Sequence, residues 1–140
     1  ARMALSWLLS LLLLPSVVLG SLQSISVNGT LLCNDEFFSD AVVFLMDSDF
    51  GSFFDPDDTL AGPLNVNDKG YFELSGETSE FTTIEPYIKI EHTCDVENEE
   101  KCRRTTIINI DKSFINNGRK DMGEIGLEAI LANEKPAKCN

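Results

Sequence analysis

The chain has 140 residues, a length that fits one domain better than two, so a multidomain enzyme is excluded. Asp and Glu number 23 against 11 Lys and Arg, and the formal charge of -12 excludes a general binder of nucleic-acid phosphates. The same charge opposes binding to anionic membranes unless a metal ion intervenes. Hydrophobic residues make up 43% of the chain, too many for a disordered acidic protein, and a folded domain is expected.

Residues 1–20 are predicted to be a secretory signal peptide. An almost entirely apolar run from Leu5 to Leu19 follows Arg2 and ends at small residues suited to cleavage before Ser21. The run is shorter than the roughly 20 residues that a membrane-spanning helix needs, and no basic cluster follows it. A retained anchor is the less favoured alternative. We therefore expect a secreted, extracellular product without a transmembrane anchor, with its folded domain at 21–131.

Alternating apolar and polar residues at 25–33 predict a strand with one solvent-facing side. Asn28-Gly29-Thr30 within it is an N-glycosylation acceptor, and Asn28 falls on the polar side. Asn28 is therefore a candidate glycan site. The alternative is an ordinary surface asparagine, because a regular strand accepts a glycan less readily than a loop.

Six further stretches have strand patterns, and no stretch gives a convincing helix. Pro63 places its strand at a sheet edge or bulge, because proline cannot donate to a ladder. About seven short strands separated by turns predict an all-β sandwich of two antiparallel sheets. The C-terminal tail, 132–140, is expected to be loose except where Cys139 tethers it. The six stretches are 41–46, 60–66, 71–74, 84–94, 105–110 and 122–131.

Residues 47–58 combine five aspartates with turn-forming residues, which predicts a loop. Clustered carboxylates suit a hard cation such as calcium. The spacing departs from an EF-hand, because Ser52 stands where glycine is required and Asp58 where glutamate is required. A solvated acidic loop without metal is the preferred interpretation, and weak calcium binding is the alternative. The five residues are Asp47, Asp49, Asp55, Asp57 and Asp58.

Three aromatic side chains interrupt this polar loop and are the candidate partner contacts: Phe50, Phe53 and Phe54. Exposed aromatic residues in a polar loop often mark a contact surface. The alternative is that they pack beneath the sandwich as a small satellite cluster.

The domain contains an even number of cysteines, which in an extracellular protein predicts two disulfides. Zinc is disfavoured, since there is no CxxC motif and the single histidine, His92, has no partner at ligand spacing. Sequence allows three connectivities. The short spacing of Cys94 and Cys102 favours a bond between them across the connection of two strands, which leaves Cys33 with Cys139. The four residues are Cys33, Cys94, Cys102 and Cys139.

Six segments, in this order and spacing, resemble the transthyretin-like proteins of nematodes. They are VNGTLLC at 27–33, DPDD at 55–58, GYFELSG at 70–76, TTIEP at 82–86, KIEHTC at 89–94 and DMGEIGLE at 121–128. The resemblance implies a secreted transthyretin-like sandwich with cysteines at four places that members often use. The chain departs from the family pattern at 50–54, where a polar stretch is usual, and at Asp111, where proline is common.

Catalysis is not expected. Transthyretin relatives that hydrolyse 5-hydroxyisourate use several histidines, an arginine and a C-terminal Tyr-Arg-Gly-Ser, whereas this chain has only His92 and lacks that motif. It also lacks a GxSxG elbow, a P-loop and GxGxxG, so no nucleophile elbow and no nucleotide cofactor are predicted. His92 is expected to be a packed or surface side chain rather than a functional one.

The resemblance and the phenylalanines together predict a non-catalytic extracellular adaptor for a protein, cell-surface or lipid partner. The alternative is a carrier of a small apolar ligand such as a lipid or a hormone-like molecule. Thyroid-hormone carriage is not inferred, because its binding residues cannot be matched here. Fold class does not decide between adaptor and carrier, since one sandwich serves many functions.

Overall fold

The computed structural model describes residues 20–48, 57–129 and 134–140. The all-β prediction is confirmed, and these residues form nine strands and one short 3-10 helix, Lys112–Phe114. Two strands, β2 and β9, were not predicted. The strands are β1 (Ser21–Cys33), β2 (Glu36–Phe37), β3 (Ala41–Asp47), β4 (Asp58–Asn65), β5 (Tyr71–Glu80), β6 (Pro86–His92), β7 (Cys102–Asn109), β8 (Arg119–Gly126) and β9 (Lys135–Cys139).

Two sheets form the sandwich. In the first, β1 pairs with β2 and β5 in antiparallel fashion but with β8 in parallel, so the prediction that both sheets are antiparallel was wrong for this one pair. In the second, the order is β4-β3-β6-β7-β9 and every pair is antiparallel. The prediction from Pro63 is confirmed, because β4 is an edge strand whose register with β3 shifts twice.

The core lies between the sheets, and the period-two pattern of β1 explains how it forms. Ile25, Val27 and Leu31 point inward and are buried, while the polar residues between them face outward. Val43 and Ile90 of the second sheet are also fully buried in the same cluster. Each such side chain contributes about 1.5 to 3 kcal/mol when removed from water.

The disulfides differ from the favoured pairing. Cys33 is bonded to Cys94, and Cys102 is bonded to Cys139. The β6–β7 ladder stops at the pair His92–Arg104, so Cys94 leaves the sheet and turns into the core beside Cys33. Cys139 lies directly opposite Cys102 in the β7–β9 ladder. The prediction from spacing was wrong because it treated Cys94 as if the ladder continued to it.

The C-terminal tail is not loose between 135 and 139, because it forms β9 along the edge of β7. The main-chain N–H of Asn140 also donates to the carbonyl of Lys101, at 2.9 Å. The polar sequence of β9 has little strand character, so pairing with β7 overrides local propensity.

Residues 1–19 of the predicted signal peptide lie outside the described residues. Within the described ranges, the structure has no helix of the length and apolar character that crossing a membrane requires.

Candidate functional site: the acidic end of the sandwich

The predicted contact loop leaves the fold at one end of the sandwich. Asp47 ends β3, Asp58 begins β4, and the two residues face each other across the ladder. Residues 49–56 lie outside the described residues, and with them Phe50, Phe53, Phe54 and two of the five aspartates, Asp49 and Asp55. The ends of β3 and β4 fix where this loop starts and finishes.

Two exposed apolar side chains lie at this same end. Phe81, just after β5, is 79% exposed, and Leu22, near the start of β1, is 56% exposed. They share one end because Ser21 pairs with Glu80. We call the group formed by Leu22, Asp47, Asp57, Asp58, Glu80, Phe81 and Glu85 the acidic end.

Three strands bring carboxylates together here. Oxygens of Asp47, Asp58 and Glu80 all lie within 4.8 Å of one another. β4 and β5 belong to different sheets, yet they pack closely enough that the carbonyl of Leu60 reaches the backbone of Gly76. Negative charge is therefore concentrated beside the exposed Phe81.

Asp47 is not the solvated loop residue that the sequence suggested. It is buried, and one carboxylate oxygen accepts a hydrogen bond from the main-chain N–H of Glu85 at 2.8 Å. Burial raises the pKa of Asp47, and the charges of Asp58 and Asp57 raise it further, while the Glu85 N–H opposes the shift. Asp47 therefore joins the β3 end to the β5–β6 connection.

Tyr87 is tied to the same end of the molecule. Its hydroxyl donates to the carboxylate of Asp57. Burial raises the pKa of the Tyr87 phenol, and the neighbouring Asp57 charge adds to this effect. The hydroxyl is therefore a fixed donor, which anchors the point where the chain re-enters β4.

The carboxylates supply part of what a calcium ion would require. Calcium takes 6 to 8 oxygen ligands, and Asp47 already uses one oxygen for the Glu85 N–H. Asp47 and Asp58 are paired strand residues, and together with Glu80 they offer three carboxylates, fewer oxygen ligands than calcium takes. Weak calcium binding stays a prediction.

A second polar group is buried at the opposite end, around His92. The Nδ1 atom accepts from the Cys94 main-chain N–H at 3.1 Å, which leaves Nε2–H to donate to Thr106 at 2.9 Å. Burial lowers the pKa of His92 to about 4, and the nearby Arg104 charge contributes. His92 is thus a neutral, packed imidazole. It cannot accept a proton from Thr106 in this tautomer, so the pair is not a nucleophile and base.

Arg104 completes this buried group. Its guanidinium donates to both carboxylate oxygens of Glu134, at 2.6 and 2.9 Å, and to the carbonyl of Cys94 at 2.9 Å. The ion pair raises the pKa of Arg104, so its charge is permanent. Because Glu134 directly precedes β9, the pair also holds that strand against the fold.

Asn28 lies in the middle of β1, between Glu73 of β5 and Asp121 of β8. Its side chain is half-buried, and its Oδ1 atom is buried without a hydrogen-bond partner among the described residues. A glycan attached to Asn28 would have to project outward between the side chains of the two neighbouring strands. Glycosylation at Asn28 stays a prediction.

A cleft also lies beside the acidic end. It has a volume of about 370 Å³ and is lined by Ser48, Glu85, Pro86, Asn109, Ile110 and Lys112. Lys112 pairs with Glu85 there at 3.3 Å. Sites for apolar small molecules are lined mainly by hydrophobic side chains, whereas four of the six residues that line this cleft are polar or charged.

Sequence reasoning missed two features of these ends. Phe81 carried a readable signal, a lone aromatic residue in the polar run 77–83. The Arg104–Glu134 ion pair had no sequence signal, because no local pattern identifies two charged residues 30 positions apart as partners.

Comparison with known proteins gives the family. The model described as "TTR-52: Transthyretin-like family" matches residues 28–111. The chain belongs to the transthyretin-like family. Transthyretin-like protein 33 of Caenorhabditis elegans is 41% identical over 117 residues, which cover 80% of this chain and 79% of that protein. Transthyretin-like protein 2 of the same organism is 39% identical over 103 residues, which cover 71% and 68%. The resemblance inferred from the six segments is therefore confirmed. In this transthyretin-like protein, the matched region contains both strands that frame the 49–56 loop.

Proposed function

We propose that this transthyretin-like protein is a secreted, non-catalytic adaptor that binds an extracellular protein or cell-surface partner through its acidic end. The observation that carries the proposal is Phe81, which is 79% exposed at the same end of the sandwich as Asp47 and Asp58, the residues that flank Phe50, Phe53 and Phe54 in the sequence. Aromatic residues are enriched where proteins bind one another, and a large exposed one inside a charged rim is the usual arrangement.

The surrounding charge defines the partner. Asp47, Asp58 and Glu80 place several carboxylates next to the aromatic group, and the whole chain is strongly acidic. A partner surface with an apolar pocket and basic residues around it would complement both features. The buried, neutral His92 supports a role without catalysis, because the only imidazole of the chain is closed to any substrate.

The carrier alternative has weaker support. The inward-facing residues of both sheets form one buried hydrophobic cluster, and most residues that line the cleft beside the acidic end are polar or charged. Native mass spectrometry of the secreted protein tests it directly. A bound mass lost on denaturation would replace the adaptor proposal with the carrier.

The adaptor proposal is tested by binding of fluorescently labelled protein to intact animal cells. Phe81→Ser and a variant with serine at Phe50, Phe53 and Phe54 should each weaken binding while leaving the melting temperature unchanged. Phe37→Ser is the matched control, because Phe37 is 62% exposed but lies on β2, at the far end of β1. β1 is about 40 Å long at roughly 3.3 Å per residue, so the control is remote from the acidic end.

Two results would overturn the proposal. The first is cell binding that is unchanged in both variants or falls equally in Phe37→Ser. The second is a large fall in melting temperature for the triple variant, which would support packing of those phenylalanines in a satellite cluster.

A further inference from the structure

The chain contains two Asn-Gly pairs, and the fold places them in opposite surroundings. Asn28-Gly29 lies in the middle of β1, paired with β5 on one side and β8 on the other. Asn117-Gly118 lies in the turn between the 3-10 helix and β8, and both of its residues are exposed. The two pairs therefore share the Asn-Gly dipeptide but differ in how firmly the surrounding backbone is held.

An Asn-Gly pair can react without any enzyme. The main-chain nitrogen of the glycine attacks the side-chain amide carbon of the asparagine, a C–N bond forms, and ammonia leaves. Water then opens the resulting succinimide at either carbonyl, giving aspartate or isoaspartate. Glycine favours ring closure because it has no Cβ to hinder its nitrogen or to restrict its backbone. Water is the only co-reactant.

We propose that Asn117 is a site of spontaneous deamidation and isoaspartate formation in the folded protein. Gly118 has a positive φ of 71°, and a Cβ built on it would meet no atom within 4 Å. The Asn117 side chain makes one local hydrogen bond, from Nδ2 to the carbonyl of Ser113 at 3.0 Å. Ring closure breaks that bond and displaces no packed neighbour.

The space and backbone freedom around the glycine, applied to the Asn28-Gly29 pair, indicate that Asn28 is protected from deamidation. Gly29 is buried, and a Cβ on it would lie 3.0 Å from the ring of Phe72. Both residues also pair with β5, and β1 pairs with β8 at Asn28 and Thr30 on either side of a register shift, so ring closure would require β1 to separate from both strands. Opening a central strand costs a free energy close to that of global unfolding.

The reaction at Asn117 would act on a structural contact next to it. Asn116 Oδ1 accepts from the N–H of Ser24 at 2.8 Å and from its hydroxyl at 2.9 Å, and Nδ2 donates to the carbonyl of Leu22 at 3.1 Å. Isoaspartate at position 117 inserts an extra methylene into the main chain between its Cα atom and Gly118, one residue after Asn116. The turn should then loosen from the start of β1, which carries Leu22 of the acidic end.

The test uses the mature chain, with both disulfides formed, from a host that does not N-glycosylate proteins. This choice matters because a glycan would block the Asn28 amide, and enzymatic removal of the glycan would itself convert Asn28 to aspartate. The protein is incubated at neutral pH, and peptides containing each pair are analysed by mass spectrometry with fragmentation that separates aspartate from isoaspartate.

We expect Asn117 to react at least roughly tenfold faster than Asn28 in the folded protein, because a tenfold difference needs only about 1.4 kcal/mol of opening free energy. In denaturant the two rates should become similar. Asn117→Ser should remove the product at the turn. Equal rates in the folded protein, or the same rate ratio in denaturant, would overturn the proposal.

The link to Asn116 has its own readout. Aged protein rich in isoaspartate should melt at a lower temperature than fresh Asn117→Asp protein, which carries the new charge but no extra methylene. Equal melting temperatures would show that the modified turn keeps its contacts with β1 and would remove that part of the proposal.

Discussion

The two ends of the sandwich differ in how their charged side chains are arranged. At the braced end, defined here by the two disulfides with His92, Arg104 and Glu134, a buried charge is paired with an opposite one. At the acidic end, like charges of Asp47, Asp58 and Glu80 crowd together, and both disulfides lie elsewhere. The opposite charges at the braced end therefore stabilise the fold, whereas the like charges at the acidic end repel one another.

Under the proposed function, this difference separates structural roles from a binding role within one small domain. Both disulfides and a buried ion pair fix the chain at one end, so the other end can carry exposed aromatic and acidic groups. Substitutions at the braced end should therefore act mainly on stability, while substitutions of exposed residues at the acidic end should act mainly on binding.

Removing the Cys33–Cys94 disulfide is expected to have the largest effect. The bond spans 61 residues and joins the two sheets, so a variant with alanine at both positions should lose about 4 kcal/mol of unfolding free energy in the chain-entropy model. Denaturant unfolding measures this loss.

The matched control removes Cys102 and Cys139. This exposed bond spans 37 residues and supports only the edge strand β9. The loss of unfolding free energy in this variant should be slightly smaller. The variant should also keep the hydrogen-exchange protection of the β1 amides. A control variant that is less stable than the Cys33–Cys94 variant would contradict the picture of a covalent link centred on the core.

The pH dependence of stability is expected to come in part from His92. Folding lowers the pKa of His92 from about 6.5 to about 4. Between these values the unfolded chain binds a proton that the folded protein does not, so stability is lost as pH falls from 6.5 to 4. Above pH 6.5 this contribution is constant, and its full size is about 3 kcal/mol at about 1.36 kcal/mol per pKa unit.

His92→Gln isolates this contribution, because glutamine cannot gain the proton. Carboxylates titrate in both proteins over the same range and cancel in the comparison. The wild-type protein should lose about 3 kcal/mol more than the variant between pH 7 and pH 4, measured by urea unfolding. Parallel pH profiles would show that His92 is not held neutral by the fold.

Much of the fold could be predicted from sequence because its determinants are local. The alternation in β1, the apolar run of β3 and the turn at 67–70 each specify their own structure. The cysteine pairing could not, because it depends on where the β6–β7 ladder stops, which no local pattern records. β9 was missed for a related reason, since its strand exists only through pairing with β7.

The acidic end was predictable only in part. The run of aspartates and phenylalanines at 47–58 stands out in the sequence, and both ends of that run do lie at one end of the sandwich. Its neighbours Glu80 and Phe81 come from another strand and reach it only through the packing of β4 against β5. Such neighbours follow from tertiary structure and not from spacing.

Asp47→Asn should change the free energy of unfolding least of these substitutions. The sign of the change tests whether the Asp47 charge opposes folding. Folding raises the pKa of Asp47, so the folded state holds its charge at a cost that disappears as pH falls through the folded-state pKa. Asparagine removes the charge and keeps an oxygen for the Glu85 N–H. Thermal unfolding at pH 7 should show stability unchanged or slightly raised, with no gain at acidic pH.

Asp47→Ala is the control that separates charge from hydrogen bonding. It also removes the charge but leaves the Glu85 N–H without its acceptor, so stability should fall by about 1 to 2 kcal/mol. Calorimetry at millimolar calcium on the same proteins tests the cation hypothesis. Heat in the wild type that disappears in Asp47→Asn would mean that these carboxylates bind the cation, and no heat in the wild type would reject the cation hypothesis.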